Sequence, residues 1–188
     1  TAPALPILTL TPDKETGSIE VDIHNPPPTG TEPTPTHQEL FRREDGGGWI
    51  KLANLLPNSK YVDYTPASGK TYDYRVIVYG NNDTSSISDI FSGSVEIKYS
   101  QLNLTSDLSE IVTLMFNPSI SFSKNYSVTT KSFAGRKKPV AEFGELINQS
   151  GAMDFVVDDN TLNRLYEFLE RQETLLFRDS RGKKMFIV

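Results

Sequence analysis

The sequence predicts a mainly β chain in two parts: an all-β sandwich over residues 1–100, then an α+β domain, a sheet plus one helix, over residues 101–188. Three observations carry this. Short runs of alternating, β-branched or aromatic residues recur through the first half with Gly, Pro and Asn signals between them. The pattern restarts directly after Ser100-Gln101. Helical periodicity is confined to one stretch, around Leu162–Leu169.

In the first part, Ile7-Leu8-Thr9-Leu10 is an apolar patch, and Ile19, Val21 and Ile23 alternate with Glu20 and Asp22 as in a half-buried strand. Asn25-Pro26-Pro27-Pro28-Thr29-Gly30 cannot continue it, because proline fixes φ and lacks a donor, so an exposed loop runs to Pro35. His37–Arg43 and Trp49–Leu52 flank Gly46-Gly47-Gly48 and read as a hairpin. Trp49, the single tryptophan, reads as a packing residue. Tyr61–Tyr64 is a short strand, Pro66–Lys70 a turn, and Tyr72–Tyr79 the strongest strand of this half. Gly80–Asp83 closes it, and one further strand is expected from Ser85 to Phe91.

In the second part, Leu102-Asn103-Leu104 and Ile111–Phe116 are strand candidates, with a turn or a single helical turn at Ser106–Glu110 between them and a break at Asn117-Pro118. Ile120 and Phe122 alternate with serines, and Tyr126–Thr130 has high β propensity. Pro139–Phe143 and Met153–Val157 are two more expected strands. Asp158 or Asp159 is placed to cap a helix whose apolar face is Leu162, Leu165, Tyr166 and Leu169, widened by Phe168. At about three turns such a helix is too short to stand alone in water and has to pack on the sheet. Leu175–Arg178 and Lys184–Val188 flank the turn Asp179-Ser180-Arg181-Gly182, where Gly182 supplies a positive φ.

Composition bounds the chemistry. With 37% hydrophobic and 23% charged residues, the chain can bury a core, and its net charge of −5 argues against a dedicated nucleic-acid binder. The absence of cysteine removes disulfides and thiolate chemistry. His24 and His37, the only histidines, lack metal-ligand companions at hairpin or helical spacing. Asp158-Asp159 is better explained as a helix cap than as a catalytic pair. Asp107, Glu110 and Asp179 have no calcium spacing, and there is no phosphate loop or nucleophile elbow. Asn-x-Ser/Thr triplets at Asn82, Asn103, Asn125 and Asn148 are expected by chance in a Ser/Thr-rich chain. No enzyme, cofactor or metal is expected. The first residue is Thr1 rather than Met, and Val188 stands inside an apolar run, which reads as a piece of a longer protein.

Two resemblances add to this reading. The run from Tyr61 to Ser88, an aromatic-rich strand after a Gly69-Lys70-Thr71 turn and before a Ser-rich loop, resembles the later strands of fibronectin type III domains. The match spans roughly residues 5–98, although Trp49 stands later than the tryptophan usual on the second strand of that family. It implies that Tyr72 is a tyrosine corner, with a buried ring and a hydroxyl bonded to backbone. The second part resembles tail and baseplate proteins of bacteriophages. The residues are Gly135-Arg136-Lys137-Lys138-Pro139-Val140 with Glu142-Phe143-Gly144-Glu145, then the helix, then Phe177–Ile187 with Arg178-Asp179-Ser180-Arg181-Gly182-Lys183-Lys184.

That resemblance implies a structural virion component, assembled in the host bacterial cytoplasm from copies of itself in a ring and from other tail or baseplate proteins. The fibronectin-like part would be a spacer. Arg136, Lys137, Lys138, Arg178, Arg181, Lys183 and Lys184 are the candidate subunit contacts, facing acidic residues of a neighbour. A basic triplet such as Arg136–Lys138 is otherwise ordinary solvated loop charge. Neither nucleic acid nor membrane is an expected partner. The alternatives are an adhesion or carbohydrate-binding module, with a host-surface glycan as ligand, and an accessory domain of a longer hydrolase. Phe41, Trp49 and Tyr61 exposed on one face would favour adhesion.

Overall fold

A computed structural model describes residues 1–116, 118–131 and 140–188, with backbone pairing alone for 124–131 and 140–149. It is mainly β, with antiparallel sheets and a single helix among the described residues. The first sheet joins β1 (Ile7–Asp13), β2 (Ser18–His24) and β5 (Lys60–Asp63) in the order β1-β2-β5. The second joins β3 (Pro35–Glu44), β4 (Ile50–Leu55), β6 (Thr71–Gly80) and β7 (Ser85–Ile87) in the order β4-β3-β6-β7, with β8 (Phe91–Ser94) also on β6.

The alternation read in the sequence builds the core between these sheets. Leu8, Ile19, Val21 and Ile23 meet Leu40, Tyr72, Tyr74 and Val76 in one buried cluster closed by Val95. The single strand expected over Ser85–Phe91 is instead two. The Ser88 hydroxyl accepts from the Val76 amide (2.9 Å) while its own amide donates to the Val76 carbonyl. A side chain thus takes a ladder position, and pairing resumes only at Phe91.

Val95 belongs to the first core and Leu102 to the second, so the connection is short. The expected boundary at Ser100-Gln101 falls at the start of β9 (Ser100–Leu104). With β10 (Ile111–Leu114), β13 (Leu175–Arg178) and β14 (Lys184–Ile187), β9 makes a four-stranded sheet in the order β10-β9-β13-β14. Its apolar face carries Leu102, Leu104, Val112, Leu114, Leu175 and Phe177, on which α1 (Asp159–Glu170) lays Leu165 and Phe168.

The helix starts where expected: Asp158 is the N-cap, its Oδ1 accepting from the Thr161 amide at 2.7 Å. Its buried side is not the expected one. Leu165 and Phe168 are buried, whereas Leu162, Tyr166 and Leu169 are exposed. Between β10 and α1 stands a long hairpin of β11 (Ser119–Lys131) and β12 (Val140–Asp154), with a bulge between Tyr126 and Val128. Of the two strands expected at Pro139–Phe143 and Met153–Val157, Val140–Phe143 and Met153-Asp154 belong to this pairing, and Pro139 lies outside the described residues. β12 ends at Asp154, and residues 155–158 lead into the helix without a regular element.

Candidate subunit-contact site

The hairpin β13–β14 carries most of the basic residues that the sequence marked. Its turn is held by Asp179, whose buried carboxylate accepts from the amides of Arg181 (3.0 Å) and Lys183 (2.8 Å). Gly182 has φ +87°, and a Cβ there would stand 3.0 Å from the Ser68 carbonyl oxygen, so the turn requires glycine on two counts.

Four side chains leave this hairpin for different environments. Arg181 is exposed, and its ion-pair contact among the described residues is to Asp179 at 3.4 Å. Lys183 is exposed as well, its ammonium 4.1 Å from the centre of the Phe122 ring. Lys184 is half-buried, and its pKa is lowered chiefly by burial and next by the charge of Arg42. Arg136, Lys137 and Lys138 lie outside the described residues.

Arg178 does not fit the surface role expected of it. It is fully buried, on the face of β13 opposite the second core, and points at the first part of the chain. Nη1 donates to the carbonyls of Gly17 (2.5 Å) and Pro66 (3.1 Å); Nη2 donates to Thr16 O (3.2 Å), Gln101 Oε1 (3.1 Å) and Asn103 Oδ1 (3.0 Å). No guanidinium so enclosed can reach a neighbouring subunit. Burial pulls its pKa from 12.5 down to about 10, which the charge of Asp63 partly opposes, so it remains charged at neutral pH.

The surroundings show what Arg178 does. Gln101 and Asn103 lie on the same face of β9, register partners of Arg178 and Leu176, and both are buried. Gln101 donates to the Glu15 carbonyl, and the Lys98 amide to Lys14 O at 3.1 Å. Gly17 has φ +61°, and a Cβ there would stand 2.9 Å from the Ile97 side chain. The β1–β2 turn, the β5–β6 connection, β9 and β13 therefore converge on one guanidinium. Buried carbonyls and amides need partners, and Arg178 supplies them from a single point.

A second buried arginine lies within the first part. Arg42 points inward from β3 and pairs with Asp63 at 2.6 Å, with Thr65 Oγ1 at 2.5 Å beside it. Asp63 also accepts from the Tyr74 hydroxyl at 3.0 Å, and burial with the nearby carboxylate pushes the Tyr74 pKa up. Burial lowers the Arg42 pKa, but the charge and hydrogen bond of Asp63 outweigh this and leave it raised. Tyr72 has a fully buried ring whose hydroxyl oxygen accepts from the Ala67 amide at 2.9 Å.

The outer face of the β3–β6 sheet bears the aromatic residues of interest to an adhesion reading. Trp49 is half-buried, with the guanidinium groups of Arg75 (4.1 Å) and Arg43 (4.7 Å) over its ring. Arg75 also stands 5.8 Å from the Phe41 ring centre. Trp49 is thus a partner for arginines, not a core residue. Tyr61 belongs to the other sheet and packs against the first core.

Among the described residues no group of His, Asp or Glu side chains is arranged to hold a metal ion, and no helix is long and apolar enough to cross a membrane. No protein-family model matches the chain, and no curated protein matches it.

Proposed function

We propose that the chain is a structural subunit of a bacteriophage tail or baseplate. Residues 101–188 would make the subunit–subunit contacts, and residues 1–100 would form a fibronectin type III-like spacer. The observation that carries this reading is the order of elements after Ser100: an open antiparallel sheet, a long hairpin, one helix and a basic-tipped closing hairpin. That order agrees with the family pattern resembled by Gly135–Glu145 and Phe177–Ile187. Both outer strands of the sheet, β10 and β14, pair on one side only among the described residues, and such edges suit assembly into rings. For the spacer, support comes from strand orders β1-β2-β5 and β4-β3-β6-β7 and from the Tyr72 hydroxyl on the Ala67 backbone.

The adhesion reading has less behind it. A sugar platform needs free aromatic faces in line, whereas guanidinium groups stand over Trp49, and Tyr61 sits on the other sheet. Negative-stain electron microscopy of the purified full chain tests the proposal. Closed rings of uniform diameter are expected; a field of single small particles at high concentration would overturn it.

A further inference from the structure

The proposed assembly leaves open which surfaces meet, and the distribution of exposed apolar and charged residues answers this. On α1, Leu162, Tyr166 and Leu169 form a stripe beside the buried one, with Tyr166 57% and Leu169 62% exposed. At 100° per residue, Asp159, Glu167 and Glu170 border this stripe on the side away from the core. All three are exposed, and none has an ion-pair partner among the described residues. Met115 and Phe116, both 63% exposed, follow β10, the strand against which α1 packs. One lateral end of the sheet is therefore apolar with an acidic border.

The opposite end has the complementary character. β14 is the other outer strand, its Phe186 63% exposed, and the turn before it presents Arg181 and Lys183. Surfaces at opposite ends of one sheet, each with exposed apolar side chains and opposite in charge, suit a head-to-tail contact that propagates in one direction and can close.

Resting on the assembly reading above, we propose that the occupant of the α1–β10 surface is the β14 edge of a second copy of this chain. Phe186 packs against Tyr166 and Leu169, while Arg181 and Lys183 face Glu167 and Glu170. Within the chain Arg181 contacts Asp179 at 3.4 Å and Lys183 stands over the Phe122 ring, but such exposed contacts contribute little to folding, so these positions can be reversed without loss of the fold.

Sedimentation velocity on the full chain at several concentrations tests the contact, with circular dichroism confirming the fold of each variant. The native chain is expected to self-associate. Glu167→Lys with Glu170→Lys, or Arg181→Glu with Lys183→Glu, should each weaken association by about tenfold or more. A chain carrying all four substitutions should regain it. An assembling native chain whose association is unchanged by either pair, or not restored by the fourfold variant, overturns this contact and leaves the assembly reading standing. A native chain that is monomeric at every concentration overturns both.

Discussion

The two buried arginines, Arg42 and Arg178, solve the same problem in different ways. Arg42 lies inside one core and meets a carboxylate: Asp63 stands 2.6 Å away and is itself held by Tyr74 and Thr65. Arg178 lies between two cores and has no ion-pair partner among the described residues. Its charge is met by neutral dipoles, three backbone carbonyls from the first part and two side-chain amides from β9. The Arg42–Asp63 pair is made within the first core, and its loss injures that core first, while the Asp63 charge also reaches Arg178 and Lys184. A guanidinium solvated by loops from two regions is a connection, and its loss should separate them. The difference teaches that residues 1–100 and 101–188 are not beads on a string: Arg178, with Gln101 beside it, ties one core to the other.

The largest effect should come from the local pair. Asp63→Ala leaves Arg42 buried without a counter-charge and should cost about 4 kcal/mol in chemical denaturation. Arg178→Met removes a charge but strands the carbonyls of Thr16, Gly17 and Pro66, and should cost about 3 kcal/mol. Its particular signature is loss of cooperativity, with one unfolding transition becoming two. If the transition stays single, the two cores are coupled by something else. Arg178→Lys keeps the charge without the planar fork and should lie between native and Met.

Asp158→Ala, remote from both arginines, removes the α1 cap and should cost about 1 kcal/mol. In the native background that loss should lower the whole transition; in Arg178→Met it should lower only one of the two. Arg75→Ala, which removes one of the two guanidinium groups over Trp49, should cost below about 1 kcal/mol, because a half-exposed cation–π contact contributes little.

Lys184 is half-buried at the rim of this junction near Arg42 and Arg178, with Asp63 and Glu44 opposing them, and its folded-state pKa is below the usual lysine value. The unfolded chain therefore binds more protons in the window between that lowered pKa and 10.5, so folding gains stability as pH rises through it. Lys184→Met should accordingly be at its most favourable, relative to the native chain, at neutral pH and below. That advantage should shrink toward pH 10.5 in paired denaturation curves.

Much of the first core was legible because period-2 alternation in β2 and β6 states which residues point inward, and Tyr72, Tyr74, Val76 and Val78 do. The cap at Asp158 was legible because a carboxylate just before an apolar-periodic run has one good local use. The face of α1 was half legible. Periodicity shows a wide apolar stripe but not which flank meets the sheet, and tertiary packing chose Leu165 and Phe168. Arg178 was not legible as a buried residue. In a hairpin rich in Arg and Lys it reads as solvent-facing, and its principal partners are backbone carbonyls, which leave no trace in residue type. The available signal was Gln101 and Asn103 alternating with Leu102 and Leu104, a polar strand face whose amides needed a buried donor.

The claim that Arg178 joins the two cores into one rigid body is tested most directly by backbone amide ¹⁵N relaxation on the full chain. A single rotational correlation time shared by β6 and β13 is predicted for the native protein, splitting into two shorter times in Arg178→Met. Two independent times already present in the native protein would contradict it.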